Sequence, residues 1–386
     1  MGVAETIRQE ILTRQERTRD LAAARRLAGL IVIGRSFYDR CGDLAYLTNH
    51  FPPFPTTEFS PVARGLGHAC LVLPVRGAPT LIADGRAVRR DLVVVDDVRV
   101  TNDLVEGLVL VLREKGLERG PVGLVGTDLL PLAMERALRQ DLPALDLVPA
   151  DDLVRHQRLL KSPTEQALLA RAAQVAEAGL RAAVAAAVGG GVRECDIAAT
   201  GIAAALQAGA DFVRYLRVHS GPWSGTSSRW PPATDRLVRE HDIVTLDIIG
   251  ACQGYQFDVL RTTLCGEALE EQRRLMDAAL AATERTVEAV RPGVRVADLV
   301  ALAHRCLDER GYGAYASPFI GHGIGLETVE APLLQPGVEM TLQPGMVLCI
   351  EPSLRIPNWG GCCVEEEVLV TEDGYRPLTT FPARLW

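Results

Sequence analysis

Residues 244–266 read VTLDIIGACQGYQFDVLRTTLCG. Two apolar runs flank a turn between Gly250 and Gly254, the pattern of a β-hairpin. With Cys252 and Gln253 in the loop, Asp247 stands opposite Asp258. Opposed residues of an antiparallel pair project to one face with Cβ atoms about 5 Å apart. Two carboxylates placed so, on otherwise apolar strands, repel each other and resist burial. A cation between them removes both costs. An ordinary hairpin with solvent-facing acids is the competing reading of this segment alone.

A second segment, IEPSLRIPNWGGCCVEEEVLVTEDG at 350–374, repeats the arrangement. Glu351 and Glu365 lie symmetrically about Asn358, so a hairpin turning there brings a second carboxylate pair together. Between the two hairpins comes Gly321-His322-Gly323-Ile324-Gly325. Glycines around one histidine let backbone approach a site closely. A lone histidine is more often structural than a ligand, but four carboxylates and an imidazole together reverse that expectation. Oxygen-rich ligation with one imidazole suits two divalent ions, Mn²⁺ foremost, with Co²⁺, Fe²⁺ or Zn²⁺ as further choices. Such a pair of ions shares bridging carboxylates and activates a water.

The 386 residues are enough for two ordinary domains. A net charge of -8 argues against a nucleic-acid partner. No apolar run is long enough for a membrane span, and the charged start lacks the apolar stretch of a signal peptide. The nine cysteines include no CxxC pair, so they read as small buried hydrophobes in a reducing cytoplasm. Runs at 29–33, 69–73, 92–95 and 122–125 read as buried strands, with helices at 104–114 and 132–139 between and after them. This predicts an α/β domain over residues 1–155. Ser162-Pro163-Thr164-Glu165 is a helix start, with a stop at Gly189–Gly191. From 156 to 386, strand pairs bearing acids alternate with long helices near 267–290 and 297–310.

These residues resemble metallopeptidase family M24, which includes methionine aminopeptidases, prolidases, Xaa-Pro aminopeptidases and creatinases. The motifs stand here as LDIIG, GYQFDVLRT, GHGIGLE, IEP and VEEEVLVTEDG. LAYLTNHFPPF resembles part of the creatinase N-terminal domain, and LLKSPTEQALLARAAQVAEAG the entry to the catalytic domain. The resemblance implies an α/β creatinase-like N-terminal domain and an α+β pita-bread catalytic domain, a curved antiparallel sheet with helices outside and the site inside. It also implies a homodimer. By the same resemblance Asp247 would chelate one ion, Asp258 and Glu365 would bridge, and His322 would bind the other ion. Glu351 would bind metal and act as catalytic base, with a metal-bound hydroxide as the implied nucleophile.

Three positions depart from the family. Trp230 stands where prolidase-like members carry a histidine 17 residues before the first Asp ligand. Val329 stands where they carry a second histidine, and Cys363 where they carry an arginine two residues before the last Glu. Those groups bind peptide and handle proton and charge, so ordinary Xaa-Pro peptidase activity should be weak or absent. With Trp223, Trp230 offers flat π-faces to a cationic or apolar small substrate. The sequence thus predicts a dinuclear hydrolase cleaving a C–N bond, an Xaa-Pro-like amide by default, in a dipeptide or other small molecule. Its rivals are a metal-dependent lyase acting on a small cation, like the enzyme that cleaves dimethylsulfoniopropionate, and a binding protein on an inactive scaffold.

Overall fold

The structure is a computed structural model that describes residues 3–61, 63–84 and 88–386. The chain divides into two compact units, Met1–Arg158 and Leu159–Trp386.

The first unit runs α1 (Val3–Ala24), β1 (Gly29–Gly34), α2 (Gly42–Thr48), β2 (Ala69–Pro74), β3 (Thr80–Asp84), β4 (Asp97–Thr101), α3 (Leu104–Glu114), β5 (Gly120–Val125), α4 (Leu132–Asp141), β6 (Leu145–Pro149) and α5 (Asp152–Arg158). Its mixed six-stranded sheet has the order β4-β3-β2-β1-β5-β6. The expected strand at 92–95 is absent. Val93, Val94 and Val95 are buried, but Val94 N–H donates to Thr48 C=O from a loop. The strand begins two residues later, where DVRVT pairs in parallel with β3. A short apolar run reports burial, and burial alone does not distinguish a ladder from a packed loop.

The second unit opens with α6 (Pro163–Ala187), and its capping box is the one the sequence predicts. Ser162 Oγ accepts from Glu165 N–H at 3.2 Å, and Glu165 accepts from Ser162 N–H at 3.0 Å. Then follow α7 (Glu194–Gln207), β7 (Phe212–Ser220), β8 (Ile243–Cys252), β9 (Tyr255–Leu264), α8 (Glu270–Glu288), α9 (Val296–Asp308), β10 (Gly321–Gly323), β11 (Glu330–Leu333), β12 (Val347–Ile350), β13 (Ser353–Ile356), β14 (Gly360–Cys363), β15 (Glu366–Val370) and β16 (Tyr375–Pro377). They form a β7-β8-β9 sheet, a β11-β10-β12-β15-β16 sheet and the β13-β14 hairpin.

Strand alternation decides what faces where. On β7, β8 and β9, Leu216, Val218, Val244, Leu246, Ile248, Phe257 and Val259 pack with Ala172, Val175, Ala176 and Leu180 of α6. On β12 and β15, Leu348, Ile350, Val368 and Val370 pack with Leu299, Val300 and Ala303 of α9. Cys362 and Val364 meet Leu275 and Met276 of α8. The helices therefore cover one face of these strands, and the residues between those positions occupy the other.

The hairpin register differs from the sequence reading. Cys252 pairs with Tyr255, so Asp247 pairs with Leu260 and Asp258 with Ile249. The two loop residues are Gln253 and Gly254, both at positive φ (53° and 81°). That is the geometry favoured by two-residue hairpins, and it fixes the register. Asp247 and Asp258 are thus diagonal neighbours and not directly opposed. They still share a face, because the offset is two residues. In the other hairpin the sequence centre holds: Arg355 pairs with Gly361 and Ser353 with Cys363 about Asn358.

Candidate metal centre

The carboxylates project from the face opposite the helices. β8 supplies Asp247 and β9 supplies Asp258. Glu351 follows the end of β12, and Glu365 lies between β14 and β15. The peptide N–H of Glu365 donates to Leu260 C=O at 3.0 Å, which ties the two sheets together at the site. His322 comes from β10, where it pairs with Cys349 of β12. The glycines around it are required by close approach: a side chain at Gly321 (φ 141°) would collide with Cys349 C=O, and one at Gly323 with Ala331 C=O.

All five expected ligands converge. Donor atoms of Asp247, Asp258 and Glu365 lie within 4.8 Å of one another, and so do those of His322, Cys349 and Glu365. Nδ1 of His322 contacts the Gly323 carbonyl at 2.9 Å, so it carries the hydrogen and donates. Nε2 then faces the acids, 3.5 Å from Asp258 Oδ2 and 3.6 Å from Glu351 Oε1.

The electrostatics show what the cluster lacks. Asp247 Oδ1, Glu365 Oε1 and Glu367 Oε2 are buried without a hydrogen-bond partner. Burial first, then the neighbouring acids, push the Asp247 and Glu365 carboxyls well above the usual range. Burial likewise raises Glu351 to about 7 and Glu367 to about 8. Burial alone would lower His322, yet Asp258 and Glu351 beside it hold it up at about 9. Buried acids with orphaned oxygens, and an imidazole nitrogen facing them, are a donor set that could hold divalent cations.

Two groups at this face were not anticipated. Glu367, fully buried, accepts from Asp258 N–H at 3.1 Å and so orients a ligand strand. Cys349 contributes a buried thiol within donor range. Both follow from alternation, since 365 and 367 share a face and 349 faces His322. A third group lines a small cavity of about 30 Å³ beside Asp247: Arg217 and His219 of β7, with Arg355 of β13. Arg217 Nη1 lies 3.1 Å from Asp247 Oδ2.

The expected substrate-facing residues fare differently. Cys363 lines that cavity and its thiol contacts Glu351 C=O at 3.5 Å. Trp230 is 89 % exposed and is not among the cavity's lining residues. Trp223 is half exposed, and its ring face already carries the Arg229 guanidinium at 5.2 Å. Val329 is exposed.

The sequence profile of metallopeptidase family M24 matches residues 167–372, and that of the creatinase/prolidase N-terminal domain matches residues 14–160. The chain belongs to family M24. It is 31 % identical to the Xaa-Pro dipeptidase of Pyrococcus furiosus over 67 % of this chain and 73 % of that protein. The probable dipeptidase PepE of Mycobacterium bovis is 31 % identical over 82 % and 84 % of the two chains. The solved prolidase of Pyrococcus horikoshii superposes with a TM-score of 0.83 at 23 % identity, covering 97 % of this chain and 100 % of that one. The fold is thus a creatinase-like N-terminal domain followed by the pita-bread catalytic domain of M24, and the chain is a metallopeptidase-family hydrolase. Among the described residues no helix is long and apolar enough to cross a membrane.

Proposed function

We propose that this M24 hydrolase cleaves the C–N bond of a dipeptide or similar small amide at a dinuclear centre. Asp247, Asp258, His322, Glu351 and Glu365 would hold two divalent cations, with Mn²⁺ the first choice. The observation that carries the reading is the convergence of these buried donors with oxygens left unpartnered. Bound cations would supply Lewis-acid polarisation of the scissile carbonyl and a lowered pKa for water. The chain's own groups do the rest. Glu351 is less buried than the other ligands, and its carboxyl is held near neutrality, where a general base works best. It takes a proton from the attacking water and returns it to the leaving nitrogen. Nδ1 of His322, locked on Gly323 C=O, keeps Nε2 aimed at the acids.

A cationic substrate, as in the lyase reading, finds no support. The cavity beside Asp247 carries two guanidiniums, Trp230 stands in solvent, and the face of Trp223 is taken. The inactive-scaffold reading is likewise disfavoured, because every ligand is present and convergent. A homodimer, supported by the family resemblance, and a reducing cytoplasm, in keeping with cysteines that are mostly buried, belong to the same reading.

The test is hydrolysis of a dipeptide panel by Mn²⁺-loaded protein in ¹⁸O-water. Hydrolysis places one label in the released carboxylate. An unsaturated, unlabelled product would instead establish elimination and overturn the proposal.

A further inference from the structure

The small cavity beside Asp247 is walled by strand faces that the metal ligands do not use. β7 runs FVRYLRVHS, and its helix-facing residues are Leu216 and Val218. Arg217 and His219 therefore point the other way, and both line the cavity together with Arg355, Ser224 and Thr226. Asp247 is the one acid in the lining and it pairs with Arg217 at 3.1 Å, which leaves the Arg355 guanidinium without a counter-charge there.

Arg217 is held in place. Its Nη1 donates to Ser227 C=O at 2.8 Å, its Nη2 donates to the Tyr215 hydroxyl, and its plane lies over the Tyr215 ring at 4.6 Å. Arg355 is only partly buried on its strand, and no hydrogen bond or ion pair engages its guanidinium among the described residues. His219 is 2 % exposed. Its Nδ1 meets the Thr226 carbonyl at 3.1 Å and so carries the hydrogen, and Nε2 is left buried with no partner. A buried nitrogen lone pair calls for a donor. The cavity thus offers one unpaired planar cation, Arg355, suited to a carboxylate, with the Asp247-paired Arg217 beside it and one acceptor suited to an N–H. About 30 Å³ exceeds the roughly 10–15 Å³ that one water requires, so the two oxygens of a carboxylate fit where waters otherwise sit.

We propose that Arg355, Arg217 and His219 form a subsite for the –NH–CHR–COO⁻ end of the substrate: the guanidiniums take the carboxylate and His219 Nε2 accepts from the N–H. The proposal rests on the amide-hydrolase reading and narrows it. The leaving residue is an amino acid with a secondary amide, and a C-terminal proline, which has no amide N–H, is disfavoured. It also places positive charge near a site whose family arginine is replaced by Cys363.

The test is calorimetric binding of three probes to Mn²⁺-loaded protein, with hydrolysis of each followed in parallel: N-acetyl-L-alanine, N-acetyl-L-proline and N-acetyl-L-alaninamide. N-acetyl-L-alanine is expected to bind at least about tenfold tighter than either of the others, the effect of one good hydrogen bond or charge contact. Arg355→Met should abolish the preference over the amide, and Arg355→Lys should keep part of it. His219→Phe should abolish the preference over N-acetyl-L-proline. Metal content and melting temperature report whether each variant has kept its fold. Equal binding of acid and amide, or an unchanged ratio in a folded, metal-replete Arg355→Met protein, overturns the subsite. Tight, Arg355-dependent binding by a protein that hydrolyses no dipeptide upholds the subsite and sinks the hydrolase reading instead.

Discussion

Two buried acidic places in the catalytic unit are opposites. Glu194, at the start of α7, is fully buried, and donors surround it. Ser220 gives its N–H at 2.9 Å and its hydroxyl at 2.7 Å, Thr234 gives its N–H at 3.1 Å and its hydroxyl at 2.6 Å, and Arg229 adds an ion pair. Burial pushes the Glu194 carboxyl up, but the hydrogen bonds of Thr234, Ser220 and Arg229 outweigh it and hold it below the usual range. The Asp247–Glu365 cluster has more carboxylates and fewer donors. Three of its oxygens lack partners, and its acids are pushed upward. One is a finished structural ion pair, while the other leaves buried oxygens that a divalent cation could satisfy. A buried acid alone therefore says little, and the count of donors around it decides its role.

The comparison breaks most visibly with Asp258→Ala. Because Asp258 faces both Asp247 and His322, its loss should strip the metals and take turnover below detection, as elemental analysis and a hydrolysis assay would show. Retained turnover would mean that the cluster is not the centre. Stability should move in opposite senses at the two places. Glu194→Gln leaves the part-buried Arg229 without its charge partner and should cost about 3 kcal/mol in chemical denaturation. Glu365→Gln removes repulsion, so the metal-free protein should become more stable while losing metal affinity. A loss of metal-free stability in Glu365→Gln would erase the distinction drawn here.

The same contrast predicts two limbs in the pH dependence of metal-free stability. Glu194 is depressed in the folded state, so its contribution is present above the ordinary glutamate pKa and fades as pH falls. Glu351 and Glu367 are raised to about 7 and about 8. The folded state keeps their protons longer than the unfolded state, so stability falls as pH climbs from the ordinary glutamate value through 7 and 8. His322, raised to about 9, adds stability that is lost over the same rise. Metal loading should flatten the alkaline limb, which thermal melts between pH 5 and 9 would reveal. The smallest effect belongs to Trp230→Ala. With the indole in solvent, stability should shift by no more than about 0.5 kcal/mol and metal content not at all.

Much of the site was legible because strand alternation is rigid. A turn misplaced by one residue shifts the register by two and keeps every face, so Asp247 and Asp258 share a face although they do not pair. The ligand order and the Asn358 centre were legible for the same reason. Arg217 and His219 were legible in principle, since FVRYLRVHS alternates, but β7 carries no acid to draw attention to it. Trp230 lies in a Pro-rich loop, where a matching position in a motif fixes the backbone address and not the direction of a side chain. In the N-terminal unit, the edge strand DVRVT is too polar to read as buried, and the neighbouring VVV run is packed without a ladder.

The most direct test of the central claim is the metal content of the purified chain after Mn²⁺ loading and removal of free metal. The account predicts close to two ions per chain, falling to near zero in Asp258→Ala while Glu194→Gln, if folded, keeps both. A wild-type chain that retains well below one ion would contradict it.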